Sequence, residues 1–590
     1  MVPCIFHTPL GFPRGVFFIE KNIGGEIMEN KNLIIDALSP LLEDTLSPEQ
    51  IEGLIEVPSN PEHGDLAFPV FQLAKAFRKA PQMIAQELAE KIDQTQFEKV
   101  VAMGPYINFS VKRSTVANQV LHDVIEAGSD YGKSDLGHGK NACIDMSSPN
   151  IAKPMSMGHL RSTVIGNAIS NIMEKVNYKT IKINHLGDWG TQFGKLIVAY
   201  NKWGDEEVVK QDPVNELVKL YVQFHDEAER DPLLDDQARA AFKKLEEHDP
   251  EMTELWQWFK EESLKEFNKV YEMLGIEFDS YNGEAFYNDK MEPIIKELAS
   301  KGISTIENGA TIVLLEEENL PPALIKKSDG ATLYLTRDLA TAYYRHNTYD
   351  FDKNIYVVGN EQANHFKQLK AVLKRLGNDW SDDMHHIAFG LITLEGKKLS
   401  TRKGKIVLLE NVLNEAIELA LEQIKVKNPD LPNKEEVAHQ VGVGAVVYHD
   451  LKSDRLNSFD FKLEDIVQFE GETGPYIQYA CARANTILEK YGKEVDMTAT
   501  WELTDDYSWE ILKKLSQYKT TIIQAAERYE PSVIAKYAVQ LAQQFNRYYG
   551  NTRILTEDEQ IEARIALVKA VVIVLKDALK LLGIEAPENM

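Results

Sequence analysis

Between residues 140 and 200, and again between 300 and 400, short apolar runs alternate with stretches of helical period. Ala142-Cys143-Ile144-Asp145-Met146 is such a run, and His159 to Ile169 follows it with apolar residues at helical spacing. "KTIKIN" and "NIYVVGN" repeat the pattern, the second leading into the helical stretch "QANHFKQLKAVLKRLG". A strand that reads as a continuous apolar run is buried on both faces, and parallel strands need a crossover helix to rejoin their sheet. The alternation therefore predicts an α/β fold with a Rossmann-like core, a parallel sheet wound with helices. Residues 205–275 stand between the two α/β parts; charged and helical, they are expected to be a solvated helical insertion.

The flanks differ from this core. Residues 28–115 read as a small α/β unit: a helix around Asn32–Leu42, a turn-rich entry at Pro58, Pro61 and Gly64 into a second helix, then the alternating strand "GPYINFSV". From about Asn411 the pattern is helical to the end, with breaks near Gly492–Thr504 and Gly550–Glu559. The first 27 residues have neither a helical period nor the charged start, apolar core and cleavage site of a secretory signal. Met28 then opens the amphipathic "MENKNLIIDAL". Gly24-Gly25-Glu26 is what a purine-rich, ribosome-recruiting message encodes, so Met28 is expected to start the folded protein, with residues 1–27 as translated upstream sequence.

A chain of 590 residues exceeds what one core can hold. Its longest apolar run, near Ala566–Leu575, is interrupted by Lys569, and no membrane association is expected. Cys4, Cys143 and Cys481 lack CxxC spacing, which leaves neither a disulfide framework nor a zinc knuckle and fits a reducing, cytoplasmic setting. The net charge of −26 disfavours indiscriminate binding to phosphate backbones, DNA included. Residues 465–590 themselves carry 14 Lys+Arg against 19 Asp+Glu, so any RNA surface there must be a local patch.

"SSPNIAKPMSMGHLRST", residues 147–163, joins the first strand to its helix. In a wound parallel sheet, ligands sit at the carboxyl ends of strands beside helix N-termini, where orphan N–H groups favour phosphate. Gly158 would let a nucleotide approach the backbone, His159 could bond a phosphate, and Lys153 adds a mobile charge. These few residues alone read equally as a Gly-containing turn with a surface lysine. Neither a GxxxxGKS/T loop nor GxGxxG occurs here.

A second lysine-rich stretch, "LEGKKLSTRKGKIVLLENVL" (Leu394–Leu413), follows the apolar run "HIAFGLIT". SMGH (Ser156–His159) and KLSTR (Lys398–Arg402) resemble the HIGH and KMSKS signatures of class I aminoacyl-tRNA synthetases. The frames "SSPNIAKPMSMGHLRSTVIGNAI", "HLGDWGTQFGKL", "KSDGATLYLTRDLATAYYR", "VVGNEQANHFKQL" and "FEGETGPYIQYACAR" resemble the arginyl-tRNA synthetase family, and the resemblance runs from about residue 30 to 590. Two positions depart from the signatures: Ser156 replaces the first histidine of HIGH, and Thr401 the second lysine of KMSKS. In this family a lysine just upstream of HIGH commonly offsets the second loss, and Lys153 stands there.

The resemblance implies a class I catalytic domain over 116–400, with the insertion about 205–275. It further implies a KMSKS-like loop and helical junction over 394–463, and a tRNA-contacting domain over 28–115 that presents Phe68, Phe71, Phe77 and Arg78. Residues 464–590 would be an all-α anticodon-binding domain of the type named for D-A-L-R, here Asp577-Ala578-Leu579-Lys580, and a chain cut at Glu464 is expected to keep a folded core. The implied chemistry is arginyl-adenylate formation from L-arginine and ATP with Mg²⁺, no tightly bound cofactor and no protein metal site, then esterification of the 2′-hydroxyl of the terminal ribose of tRNA(Arg). Cognate tRNA would be needed even for the first step, and the protein would be a monomer. Two anions meet in line in that step, so catalysis consists of positioning and cation supply. Lys153, Ser156, His159 and Lys398 would carry it. Ser156, Gly158, His159, Lys398, Leu399 and Ser400 would hold ATP.

For arginine, the resemblance marks Asn150, Tyr334, Asp338 and Gln362, with Ser148 and His159 close by and Asp145 as a further acid. A buried carboxylate pair would reject lysine or citrulline through geometry and unpaired charge. For tRNA, "QLAQQFNRYYGNTRIL" brings Gln543, Asn546, Arg547, Tyr548, Tyr549 and Arg553 close together, suited to stacking on splayed bases, although Phe545 and Tyr549 equally suit plain helix packing. His385-His386 is expected to begin a strand beside bulk solvent, and Trp256, Trp258 and Phe259 to pack between helices. The alternatives are a class I synthetase for another amino acid and a catalytically inactive tRNA-binding paralogue.

Overall fold

The computed structural model describes residues 24–58, 60, 63–394, 397–398 and 407–590, without the side chains of 24–30, 32, 394, 397 and 398. The described chain divides into two compact units, meeting at Val116–Ala117.

In the first unit, β1 (Leu66–Pro69), β2 (Phe97–Met103) and β3 (Tyr106–Val111) form an antiparallel sheet ordered β1-β3-β2. The β2–β3 hairpin turns on Gly104-Pro105, with Gly104 at φ +58°. Ile34 and Leu38 of helix Gly24–Leu42, Ile51 of Pro48–Leu54 and Ile84 and Leu88 of Pro81–Lys91 cover Phe68, Ile107 and Phe109. The turn-rich entry, expected to lead straight into a second helix, leads into β1 first. A four-residue apolar run fits either state, and the ladder along β3 decides it.

In the second unit, β4 (Asn141–Asp145), β5 (Lys179–Ile183), β9 (Phe351–Gly359) and β10 (Met384–Phe389) form a sheet ordered β10-β9-β4-β5, parallel throughout. Helix Met157–Lys175 crosses from β4 to β5 and is buried on nearly every face, with Arg161, Ser162, Thr163, Asn167 and Ser170 buried among its apolar residues. The chain leaves β4 toward β5 and returns on the other side of β4 as β9. The strand order therefore reverses between β4 and β9, the place where wound sheets open a crevice for ligands.

The expected helical insertion is present as five helices from Gln192 to Leu274. Residues 300–330 depart from the expected winding. Here β6 (Ser304–Glu307), β7 (Ala310–Val313) and β8 (Ala323–Lys326) make a separate antiparallel sheet. Its first turn is Asn308-Gly309, both with positive φ (49° and 81°), the two-residue hairpin turn that Asn-Gly favours. Two further short strands, β11 (Ile392–Leu394) and β12 (Lys397–Lys398), pair with each other, and β11 also pairs with β13 (Phe459–Asp460), a strand inside a stretch expected to be wholly helical.

The helices after β13 break at the expected places, between Tyr491 and Asp506 and between Asn551 and Ile561. They pack within the same compact unit as the core. Lys175, buried at the end of the β4–β5 crossover, donates to Asp577 (2.9 Å), which also accepts from the Tyr518 hydroxyl (2.6 Å). Cutting at Glu464 would strip Lys175 of this carboxylate and bare part of the crossover helix, so this packing argues for a destabilised truncated core rather than the folded one expected.

His385 and His386 do begin a strand, but half-buried rather than beside bulk solvent. Burial, reinforced by Lys353 and Lys370, pushes the His385 pKa from 6.5 down to about 4. His449, packed edge-on against the Phe459 and Phe461 rings, is likewise pushed down to about 4 by burial and by Lys452. A histidine whose folded pKa is depressed stabilises the fold above its unfolded pKa, and that stability drains as pH falls from about 6.5 toward 4. Asp450 and Glu284, raised by burial to about 6 and about 7, work in the opposite sense, against five histidines (His159, His185, His385, His386 and His449) that burial holds down. The melting temperature is expected to drop between pH 7 and pH 5, and His449→Gln to flatten that slope; an equal slope in the variant would count against His449.

Candidate active site

The turn after β4 is conformationally costly. Ser147, Ser148 and Ala152 sit at φ 72°, 51° and 58°, a region that costs non-glycine residues on the order of 1–3 kcal/mol each. Surrounding contacts hold them there. The Ser147 N–H donates to Ser162 Oγ (3.0 Å), the Ser147 and Tyr271 hydroxyls bond at 2.8 Å, and the Ala152 N–H donates to Ser263 Oγ (2.9 Å). Asn150 is seated by a backbone exchange, Ile151 N–H to Gly187 O (3.2 Å) and Gly187 N–H to Pro149 O (3.0 Å). A Cβ at Gly187 would collide with Asn150 Oδ1, which explains a glycine in "HLGDWG".

Ser156 caps helix Met157–Lys175, and its N–H donates to His159 Nδ1 (3.1 Å). With Nδ1 accepting, the neutral ring carries its proton on Nε2. Burial, with the nearby positive Lys153 adding to it, holds the His159 pKa below its ordinary value, so the ring is a neutral Nε2–H donor at pH 7. Lys153 is exposed, as is Gly158. A Cβ at Gly158 would touch only Ser156 Oγ, at 3.4 Å, so protein packing does not call for a glycine there.

The far end of the second lysine-rich stretch returns to this turn: Met157 N–H donates to Val407 O (3.1 Å) and Leu409 N–H to Met155 O (2.9 Å). The Lys398 backbone lies in β12, opposite Thr393 of β11. The Lys398 side chain, Leu399, Ser400 and Thr401 lie outside the described residues.

The expected carboxylate pair is not free. Asp145, 6 % exposed at the end of β4, accepts from Arg345 Nη2 (2.7 Å) and from the Ser148 hydroxyl (3.1 Å). Arg345 is fully buried over the Tyr356 ring, so the Asp145 charge is already met from within. Asp338, on helix Tyr334–Tyr349, is instead partly open: its Oδ2 meets His365 Nε2 at 2.5 Å, its side chain is 26 % exposed, and Oδ1 is left over. Both acids act on His185 and Tyr356, which places them around one buried wall. Tyr334 and Gln362 are exposed, at the start of the Asp338 helix and just after β9. Glu284, held up to about 7 by burial while Arg337 (3.3 Å) pulls it down, lies within reach of Asp338. His365, Arg345 and Glu284 were missed. The first two had a signal: Gln362 and His365 are three apart, and Asp338 and Arg345 seven apart, helical spacings that share a face.

Residues 120–463 match the family described as tRNA synthetases class I (R), catalytic domain. Residues 477–590 match the DALR anticodon binding domain, and 28–111 the arginyl tRNA synthetase N terminal domain. A protein of Enterococcus faecalis named arginine–tRNA ligase is 64% identical over 563 residues, covering 95% of this chain and 100% of that one. The chain belongs to the arginyl-tRNA synthetases. The arginine–tRNA ligase of Latilactobacillus sakei, 60% identical over 563 residues, covers the same shares of each chain. Among solved structures, the Thermus thermophilus arginyl-tRNA synthetase has a TM-score of 0.74 at 25% identity, over 95% of this chain and 100% of that one. The Plasmodium falciparum arginyl-tRNA synthetase, at 23% identity and TM-score 0.74 over 96% and 99% of the chains, shares the fold. As an arginyl-tRNA synthetase, the chain uses ATP to join arginine to tRNA(Arg), releasing AMP and pyrophosphate. Neither alternative, another amino acid or an inactive paralogue, is favoured.

In the synthetase's tail, Gln543, Arg547, Tyr549 and Arg553 are exposed, and Asn546 is tied to Arg483. Arg483 lies between the Tyr479 and Tyr549 rings, at 4.8 and 4.9 Å. Tyr548 does not fit the RNA reading: it is fully buried, as helix Ser532–Asn551 turns positions 541, 545 and 548 inward. Tyr548→Ala is expected to cost roughly 3–5 kcal/mol of stability, as for other large buried aromatics. Tyr549→Ala should leave the melting temperature unchanged and raise KM for tRNA; thermal melts beside charging kinetics separate the two. Asp577 of the D-A-L-R-like stretch faces Lys175, and Ala578 and Leu579 are buried, so only Lys580 is exposed there. Trp256, as expected, serves packing: its indole N–H donates to Asp188 O (2.7 Å) and its ring meets Trp189 edge-on.

Proposed function

We propose that adenylate formation occurs at the N-terminus of helix Met157–Lys175, in the crevice between β4 and β9. The observation that carries this reading is the Ser156 N–H to His159 Nδ1 bond, which leaves the proton of the neutral ring on Nε2, a hydrogen-bond donor at the helix N-terminus. ATP lies over Gly158, its phosphates against the helix N-terminus, with Ser156 and His159 donating and Lys398, Leu399 and Ser400 as its further contacts. The arginine carboxylate attacks the α-phosphorus, and pyrophosphate leaves with the electron pair of the broken P–O bond. Lys153 and Lys398 offset the charge that develops on it. In the second step the 2′-hydroxyl of the terminal ribose attacks the arginyl carbonyl and AMP departs. Magnesium arrives with ATP as part of the substrate; among the described residues no group of three or more His, Cys, Asp or Glu stands ready to hold an ion.

The guanidinium is received by Asp338, with Tyr334 and Gln362 beside it and Asn150 and Ser148 toward the amino-acid end. Asp145 contributes through Ser148, whose hydroxyl it orients. Gln543, Asn546, Arg547, Tyr549 and Arg553 read the anticodon loop, and residues 28–115 touch the tRNA elsewhere. The enzyme is a cytoplasmic monomer without a DNA or membrane partner; among the described residues no helix is long and apolar enough to cross a membrane. Pyrophosphate exchange assayed with each amino acid, with and without tRNA(Arg), tests the reading. Exchange is expected with arginine only and only with tRNA; comparable exchange with another amino acid would overturn the arginine pocket.

A further inference from the structure

Asp145 and Asp338 both act on His185 and Tyr356, yet each carboxylate is held by a different kind of donor. Arg345 gives Asp145 a permanent and fully buried cation. His365 gives Asp338 one ring nitrogen: Nε2 meets Oδ2 at 2.5 Å, with the two side chains 21 % and 26 % exposed. Among the described residues nothing donates to Oδ1.

One short stretch of chain brings the two partners together. His365 lies in the first turn of helix Ala363–Arg375, and Gln368, three residues on and on the same face, donates to the carbonyls of Pro321 (2.9 Å) and Pro322 (3.3 Å). Those prolines lead into β8, where the Ile325 carbonyl accepts from the Thr336 hydroxyl. Thr336 stands in the first turn of the helix that carries Asp338. Residues 321–325 thus tie both helices to one strand. Phe366, next to His365, packs its ring against Tyr356 (4.9 Å), the residue on which both acids act.

Stability does not explain the bond, because a charged side-chain pair this open to water contributes little to a fold. A guanidinium feels it directly. A free carboxylate turns about a soft torsion and offers a guanidinium fork both of its oxygens. With Oδ2 occupied, one orientation is held and Oδ1 alone is offered. An imidazole also carries no permanent charge, so the charge of Asp338 is not cancelled as that of Asp145 is.

We infer that His365 is a positioning residue for arginine: by occupying Oδ2 it fixes the Asp338 carboxylate, so that a guanidinium is met through Oδ1. The inference rests on reading Asp338 as the acid that receives the guanidinium.

The test uses the full-length enzyme in tRNA-dependent pyrophosphate exchange, with melting temperatures measured alongside. His365→Ala is expected to raise KM for arginine roughly three- to tenfold, the cost of freezing one side chain on binding. Both kcat and KM for ATP should stay within about twofold, because the reacting atoms are untouched. His365→Gln still presents a donor and should return KM for arginine to within about twofold of wild type. The melting temperature should be the same in both variants. A wild-type KM in His365→Ala overturns the role, as does a KM in His365→Gln as high as in His365→Ala. A joint fall of kcat and melting temperature in His365→Ala marks a structural residue and overturns it too. Asp338→Asn supplies the control. Its KM for arginine should rise, and adding His365→Ala to it should cost far less than the product of the single effects. A raised KM in Asp338→Asn with fully multiplicative effects overturns the inference and leaves the arginine pocket standing. A wild-type KM in Asp338→Asn overturns the pocket and, with it, the role assigned to His365.

Discussion

Lys153→Ala is expected to slow arginyl-adenylate formation by roughly ten- to a thousandfold, the range seen when one preorganised transition-state contact is removed. Three observations put the effect on the rate rather than on binding or folding. Lys153 is exposed, so nothing packs on it that its loss would disturb. Its charge acts on His159, at the helix N-terminus where phosphate would lie. It follows Ala152, whose φ of 58° is held by the Ser263 bond, so the lysine leaves the chain in a fixed direction. The KMSKS-like stretch carries Thr401 where a second lysine is usual, which leaves fewer cations for the departing pyrophosphate. The check is single-turnover adenylation with saturating tRNA and arginine. Lys153→Arg should recover part of the rate, since the charge returns with a different reach. A loss seen only as a raised KM for arginine would falsify the role.

The core was legible because short strand-like runs alternate with helical stretches; "KTIKIN" and "NIYVVGN" lie at β5 and β9. What escaped were elements defined by their partners. β1 and β13, four and two residues long, carry no period of their own and exist because β3 and β11 pair with them. The β6–β7 hairpin had a local signal in Asn308-Gly309, but the surrounding strand–helix alternation drew the stretch into the parallel sheet. The site divides the same way. That Ser156 and His159 stand together was legible because a motif occupies consecutive positions. That Arg345 neutralises Asp145 could not be seen, because the two are 200 residues apart and meet only when β4 and helix Tyr334–Tyr349 pack together. The tail reading failed at Tyr548 for a related reason: adjacent tyrosines on one helix point a third of a turn apart, and only packing tells which one faces water.

Asp338→Asn is expected to raise KM for arginine far more than KM for ATP. Since Asp145 is already bound to Arg345, Asp338 is the acid with capacity to spare: Oδ2 meets His365, and Oδ1 together with the 26 % exposed face of the side chain is open to a ligand. Removing the charge but not the shape leaves a guanidinium partly unpaired, at a cost on the order of 2–5 kcal/mol for buried charged pairs. Because this carboxylate is partly exposed, the lower part of that range applies, about thirty- to a hundredfold in KM at 1.4 kcal/mol per decade. The fold should be indifferent, since the asparagine oxygen still accepts from His365 Nε2–H. Citrulline makes the test sharper. It is nearly isosteric with arginine but carries no charge, so an aspartate rejects it by leaving its own charge unmet and an asparagine does not. The ratio of exchange with arginine to exchange with citrulline should therefore fall in Asp338→Asn along with the affinity for arginine. Should KM for arginine stay put while that ratio is unchanged, the guanidinium is held elsewhere, and Glu284, within reach of Asp338 and pushed up to about 7 by burial, is the next carboxylate to replace.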